Sequence, residues 1–466
     1  MKRERESDES ETAVDESTTN SFSESDLNKA RYDTRPSRPG VDAARPTVNV
    51  KFSEFQLENG LSVILRIDRS VPVLAVDVCY HVGSKNEKEG KTGFAHLFEH
   101  LMFEGSEHVS KGEFDHYISL AGGYNNAYTT EDVTNYYEVL PSNQLALALW
   151  LESDRMLKFT VTEEALATQR EVVKEEKRWR IDNRPYGDAS EKLQELIFPV
   201  GQYHWPVIGS MDDLNAAGMG DVRHFYETYY TPDNAVLVVS GDFDESEAEK
   251  LVRRYFADIP HAKAPVPPVR FEDRALTKSV EKTLRGNVPA PAVLAAYKIP
   301  PEGSPEYYQL SQAAKILSDG NSSRLYKRLL YDQQAVSEFD VSIEGMEKAG
   351  VFLFSAFLAP GHSTEEVLGI FDEEVRKLKK SLVRPYEFEK ARNSTLSSYV
   401  SRLSTNSGVA DALAHYHTIF KDTGLINSEV DRELSVTREA VIRAAGDLLD
   451  EEKRVVLTYF PSDDND

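Results

Sequence analysis

His96, Glu99 and His100 stand in the order H-x-x-E-H inside TGFAHLFEHLMFEG, residues 92–105. Histidines four apart on a helix lie one turn from each other on one side, and two imidazoles so placed can grip a single metal ion. Phe94, Leu97, Phe98, Leu101 and Met102 recur at helical spacing around them, so a buried amphipathic helix is expected. Glu99 points about 100° away from His100 and sits one turn from His96, where it can reach a metal-bound water without being a ligand itself. Two satisfied core histidines could produce the same pattern. A third ligand decides between the readings, because a catalytic zinc uses three protein ligands.

That ligand must come from another element, and ALATQREVVKEEKRWRIDNRPYG is the segment to search. At helical spacing Leu166, Gln169, Val172 with Val173, Glu176 and Trp179 share one face, while Glu171 and Glu175 fall among Lys174 and Arg178 on the other. Glu176 therefore continues an inward stripe, and a carboxylate there needs a partner. Metal ligation and an ordinary buried ion pair both meet that need.

The elements that must position these groups follow from periodicity. VNVKFSEFQLENGLSVILRIDRS reads as two strands with a turn at Glu58-Asn59-Gly60, and VPVLAVDVCYHVG as a third strand leading into the histidine helix. A strand at TNYYEVLP, helices through 142–183 and 213–228, a strand at NAVLVVSGD and a helix across ESEAEKLVRRYFADIP follow. HAKAPVPPVRFED then has prolines and no period, which marks a linker. Beyond it the pattern repeats. PAVLAAYKIP resembles PVLAVDVCYH, VFLFSAFLAP falls where NYYEVLP fell, and RVVLTYFPS echoes NAVLVVSGD, each about 220 residues later. The expected fold is α+β: two homologous domains, each a mostly antiparallel sheet with helices packed on one face, joined by a linker. The expected limits are a disordered acidic tail over 1–47, a metal-bearing domain over 48–262, a linker over 263–280 and a second domain over 281–462 without the histidines.

Composition narrows the function classes. The chain has 466 residues and a formal net charge of −24, too acidic for a general nucleic-acid binder and suited to a positively charged partner or substrate. Its single cysteine, Cys79, lies in an apolar run, so neither a disulfide framework nor a cysteine-based metal site is available within the chain, and a buried core role is expected. No apolar run approaches the roughly 18 residues of a membrane span, and the opening MKRERESDESETAVDESTTNSFSESD has no hydrophobic signal region. A cytoplasmic location is the expectation.

HLFEHLMFEGS, GGYNNAYTTEDVTNYYEVLP and REVVKEEKR ending in RPYG closely resemble the pitrilysin and insulinase family of zinc peptidases, the inverzincins, which includes the mitochondrial processing peptidases. The resemblance covers nearly the whole chain after the tail. It implies one zinc ion held by His96, His100 and Glu176, with Glu99 as general base, and a peptide substrate added as an extra strand at Asn126 and Ala127. Asn126 is then expected to donate to the carbonyl oxygen of the scissile bond. His108 and His116 have no ligand-spaced companion and are expected to be surface or structural.

Two positions depart from the family pattern. Gln169 stands where active relatives often carry a second glutamate, and Leu330 and Ser337 stand where the second half of the family carries an arginine and a tyrosine that reach the substrate carbonyl. Arg324 and Tyr326 lie nearby and could substitute in another register. The implied protein is a zinc-bearing endopeptidase subunit whose partner, a related chain, supplies the arginine and tyrosine. A non-catalytic assembly protein of the same fold, or a self-sufficient homodimeric peptidase, are the alternatives.

Overall fold

A computed structural model describes residues 48–462 of the chain. The expected acidic tail over 1–47 lies outside the described residues.

The alternating runs of the first half form a six-stranded sheet of β1 (Ser53–Gln56), β2 (Ser62–Ile67), β3 (Val73–Tyr80), β4 (Tyr124–Thr129), β5 (Thr134–Pro141) and β6 (Ala235–Gly241). Its spatial order is β1-β2-β6-β3-β5-β4, antiparallel throughout except for β2 beside β6. The second half builds β7 (Val280–Gly286), β8 (Ala292–Ile299), β9 (Val336–Gly345), β10 (Gly350–Leu358) and β11 (Val455–Pro461) in the order β7-β11-β8-β10-β9. Here too one pair is parallel, β7 with β11. The second order therefore matches the first strand for strand, with β1 as an added edge. Residues 260–279, between the halves, contain neither helix nor strand.

Among the described residues, eight α-helices belong to the first half: α1 (Phe94–Leu101), α2 (Glu113–Leu120), α3 (Leu145–Leu157), α4 (Glu163–Lys177), α5 (Ala189–Ile197), α6 (Met211–Ala216), α7 (Met219–Tyr229) and α8 (Glu245–Phe256). The second half has α9 (Pro305–Ser318), α10 (Thr364–Lys380), α11 (Pro385–Arg402), α12 (Asn406–His415), α13 (Glu429–Leu434) and α14 (Arg438–Leu448). Several start at side-chain caps that sequence makes visible: Thr162, Asp244, Ser304 and Thr405 each accept the amide three residues on.

The strand pleat sorts residues between two cores. Leu74, Val76, Val78 and Tyr80 of β3 face α1, α3 and α8 in one layer, while Ala75 and Cys79 face the other way. That second face is covered by α12, a helix from the other half of the chain, which packs on β3 and β6 through Val409, Ala410 and Leu413. The exchange is mutual: α5 of the first half covers the outer face of β8 and β11 with Leu193 and Ile197. Each sheet thus keeps its own helices on one face and is covered on the second by a helix from the other half and the chain that follows that helix.

A polar knot joins the halves. Lys85, only 3% exposed, donates to Asp132 at 2.8 Å and pairs with Glu347 of the second half, while Tyr203 donates to Asp132 at 2.7 Å. A cation removed from water to this degree is tolerated only when paired in this way. Cys79 is buried, with the Thr418 hydroxyl against its sulfur. No helix among the described residues is long and apolar enough to cross a membrane.

Candidate metal centre and substrate cleft

The histidine helix α1 begins at Gly93, whose φ of +84° and close approach to the Ile208 carbonyl oxygen leave no room for a side chain: a Cβ would lie 2.6 Å from that oxygen. Glu87 closes the helix start, its carboxylate accepting the amides of Gly93 at 2.8 Å and Ala95 at 2.7 Å. Burial pushes the Glu87 carboxyl up to about 8, against the pull of these amides. Phe94, Leu97, Phe98 and Leu101 then sink into the core, which turns His96 and His100 toward α4.

Across that contact α4 presents Glu176. Its Oε2 lies 3.2 Å from His100 Nε2 and 3.7 Å from His96 Nε2, and one ligand atom from each of the three residues falls within 4.8 Å of the others. Among the described residues this is the one cluster of its kind. Burial first, then the neighbouring His100, holds His96 well below the usual histidine value, so its ring is neutral. The His100 contact holds Glu176 below the usual carboxylate value, so it is charged. Two imidazoles and one carboxylate are a donor set that fits zinc, and their mutual approach fits a single ion. The Nδ1 of His96 is buried without a hydrogen-bond partner among the described residues.

Glu99 points past the cluster and accepts the Thr129 hydroxyl at 2.7 Å. Burial raises its carboxyl and the Thr129 bond opposes the rise, which leaves a carboxylate that holds a proton more readily than an exposed one. All four residues line a cavity of about 650 Å³, together with Asn126–Thr129 of β4 and residues of α5. Among the described residues strand β4 is the sheet edge, paired with β5 alone, so its outer backbone groups are open on the cavity side of the sheet. Asn126 is exposed there; its carboxamide oxygen accepts the Ala127 amide at 2.9 Å and the side chain also meets the Tyr137 hydroxyl.

The remaining sequence expectations divide. His108 sits at the surface against Asp154 (2.6 Å) and His116 is exposed, both away from the cluster. Gln169 donates to Glu104 at 2.6 Å, a bond that an ionised glutamate in its place could not make. Trp179 is a correction: expected on the inward stripe, it is 64% exposed, because the helix passes into a π-helical turn at Arg178–Asp182 and loses its 3.6-residue period. Val172 is also exposed, which narrows the stripe to Leu166, Gln169, Val173 and Glu176. In the second half Leu330 packs against the core, and Ser337 Oγ donates to the Phe357 carbonyl. Arg324 is held by Glu387 through two bonds of 3.1 Å.

Three positioning residues escaped the sequence reading. Arg180 pairs with Glu176 Oε1 at 2.6 Å, and its i+4 spacing was a visible signal. Thr129 and Glu87 carried none, since their bonds cross between elements.

Residues 62–200 match the family model described as Insulinase (Peptidase family M16), and residues 218–395 the model described as Peptidase M16 inactive domain. The zinc protease PqqE of Helicobacter pylori is 30% identical over 416 residues, covering 88% of this chain and 90% of its own. The chain belongs to the M16 peptidase family. A crystal structure of a protease from Helicobacter pylori matches this M16 chain with a TM-score of 0.85 at 27% identity, over 89% of this chain and 100% of that one. Mitochondrial-processing peptidase subunit beta of Blastocladiella emersonii is 26% identical over 220 residues, 47% of either chain. The inactive-domain match falls mainly on the half that has no histidine cluster among its described residues.

Proposed function

We propose that this M16 chain is the zinc-bearing subunit of an endopeptidase that hydrolyses peptides or unfolded polypeptide segments. One observation carries the reading: the donor atoms of His96, His100 and Glu176 approach within 4.8 Å, with Glu99 beside them, at the wall of a cavity bounded by an edge strand. Zinc bound there supplies Lewis acidity toward a carbonyl and makes water a stronger acid. The chain's own residues do the rest. The free edge of β4 takes the substrate backbone as an added strand, which fixes the register of the scissile bond against Glu99. Glu99 accepts the proton of the attacking water and then delivers it to the leaving amine, for which its burial-raised basicity is suited. Asn126 and Ala127 hold the substrate strand, and the Asn126 amide is available as a donor to the carbonyl oxygen.

The second half offers that oxygen little. Leu330 is apolar, the Ser337 hydroxyl is bonded to backbone, and Arg324 is committed to Glu387. These features favour a heterodimer, in which a related chain brings the missing cation and phenol into a shared closed chamber, over a homodimer that relies on Arg324. The domain limits of 48–262 and 281–462 belong to the same proposal.

The test is Glu99→Gln, assayed on an unstructured peptide with the partner chain present. The amide fills the same space but cannot accept the proton, so zinc content and fold persist while turnover falls by about 100-fold or more. Turnover near that of the wild type would assign the base elsewhere.

A further inference from the structure

Strand β4 is bonded to both halves of the chain. Successive side chains of a strand point to opposite faces of the sheet, so neighbouring residues of β4 are held from opposite sides. On the face of α1, Thr129 donates to Glu99 at 2.7 Å. On the other face Tyr128 packs into the layer under α12, and its hydroxyl donates to Asp411 of that helix at 2.5 Å, across 283 residues of sequence. Burial, with Asp411 adding to it, raises the Tyr128 hydroxyl well above its ordinary value, so it keeps its proton and is the donor. Among the described residues the other side-chain bonds of β4 stay in the first half, such as that of Asn125 to Asp115 at 2.9 Å. The support behind Asp411 is itself anchored. Asn406, in the first turn of α12, accepts Arg66 of β2 at 2.7 Å and donates to the Val73 carbonyl of β3 at 3.1 Å. Strand β4, by contrast, has β5 as its one strand neighbour among the described residues and is entered through Gly122, at a φ of +80°, and Gly123.

We propose that Asp411, in the half without the histidines, is a positioning residue for peptide binding: through Tyr128 it fixes β4 in the conformation that takes the substrate backbone as an added strand. An edge strand recruits a peptide through its outward backbone groups, and their register is lost if the strand slides along the sheet or lifts from it. A strand already held in that geometry has less ordering left to undergo when the peptide arrives, so the Tyr128 bond is expressed as affinity. Thr129 keeps its own bond to Glu99, so the loss of the Tyr128 bond falls on binding more than on proton transfer. That the occupant is a peptide rests on the peptidase reading; the hold on β4 does not.

The test combines Tyr128→Phe, Asp411→Ala and Asp411→Asn in the full-length chain. Phenylalanine removes one oxygen and asparagine keeps an acceptor for the tyrosine hydroxyl. In the Glu99→Gln background an unstructured peptide is expected to bind about tenfold more weakly to Tyr128→Phe and to Asp411→Ala, and close to normally to Asp411→Asn. The double variant Tyr128→Phe with Asp411→Ala should lose no more than either single one, because both remove the same bond. With Glu99 intact and the partner chain present, Tyr128→Phe should raise KM by the same factor and leave kcat nearly unchanged. Hydrogen exchange without peptide gives the second readout: the β4 amides bonded to β5 should exchange faster in Tyr128→Phe, while those of β3 and β6 keep their protection. Normal binding by Tyr128→Phe, equal losses in Asp411→Asn and Asp411→Ala, additive losses in the double variant, or unchanged exchange in β4 would overturn the proposal. Should Asp411→Ala not fold, Tyr128→Phe and Asp411→Asn decide it. Wild-type hydrolysis with normal binding by Tyr128→Phe removes the positioning role and leaves the peptidase reading intact. Absence of wild-type hydrolysis removes the peptidase reading, and the β4 exchange then decides the hold on the strand by itself.

Discussion

Leu413→Ala places the perturbation in the second half of the chain and the damage in the first. Leu413 is fully buried between α12 and the outer face of β3 and β6, among Ile64, Val236 and Val238. Its neighbours on α12 include Ala410, Ala412 and Ala414, which are too short to move into the space it would leave. Burial is complete and collapse is limited, so the cost lies within the measured range for leucine truncations, at about 3 kcal/mol. That is about a hundredfold in the opening equilibrium of the layer. Hydrogen exchange read segment by segment is the assay. The amides of β3 and β6 should exchange about a hundredfold faster than in the wild type. Tyr128 of β4 donates to Asp411 of α12 at 2.5 Å, so the substrate-binding edge should loosen with them and the KM for peptides should rise. If the loss of protection stays within residues 281–462 and β3 and β6 exchange as before, α12 is not what covers the first sheet, and the crossed-helix account is wrong.

Metal analysis of the purified chain should find one zinc per chain, lost in His96→Ala and in Glu176→Ala; full retention in the Glu176 variant would remove the third ligand. The chain alone should hydrolyse an unstructured peptide weakly and gain activity from a related chain carrying an arginine and tyrosine pair, since one missing oxyanion donor costs roughly 100- to 1000-fold; equal turnover with and without the partner would instead make Arg324 or Tyr326 the next residue to substitute. Cys79 should be silent toward a thiol reagent in the folded protein and react once per chain in denaturant, because burial drives its thiol far above the ordinary range and leaves no thiolate to react.

Much of this protein is written in local pattern. The pairing of His96 with His100 is a property of one helix turn, and the amphipathic face that buries Phe94, Leu97, Phe98 and Leu101 is readable in the same stretch. The doubled sheet is legible because a repeat at a constant offset needs no knowledge of contacts, and both sheets take the same strand order. Glu176 could be placed on the inward stripe of its helix, although the same periodicity put Trp179 there wrongly, since a π-helical turn shifts every later residue and leaves no clear mark in sequence.

Tertiary structure alone decided what each face meets. Hydrophobic periodicity announces that α12 and α5 have buried sides, but burial is non-directional, so it cannot say that each helix crosses to the other half's sheet. The same holds for the polar partners. That Thr129 donates to Glu99, that Gln169 serves Glu104 and that Arg324 is bound to Glu387 all depend on atoms brought together from distant parts of the chain. Sequence carries residue type and spacing along one element; the distance between elements is set by how the two cores pack, and it is that distance that turns two histidines and a glutamate into one site.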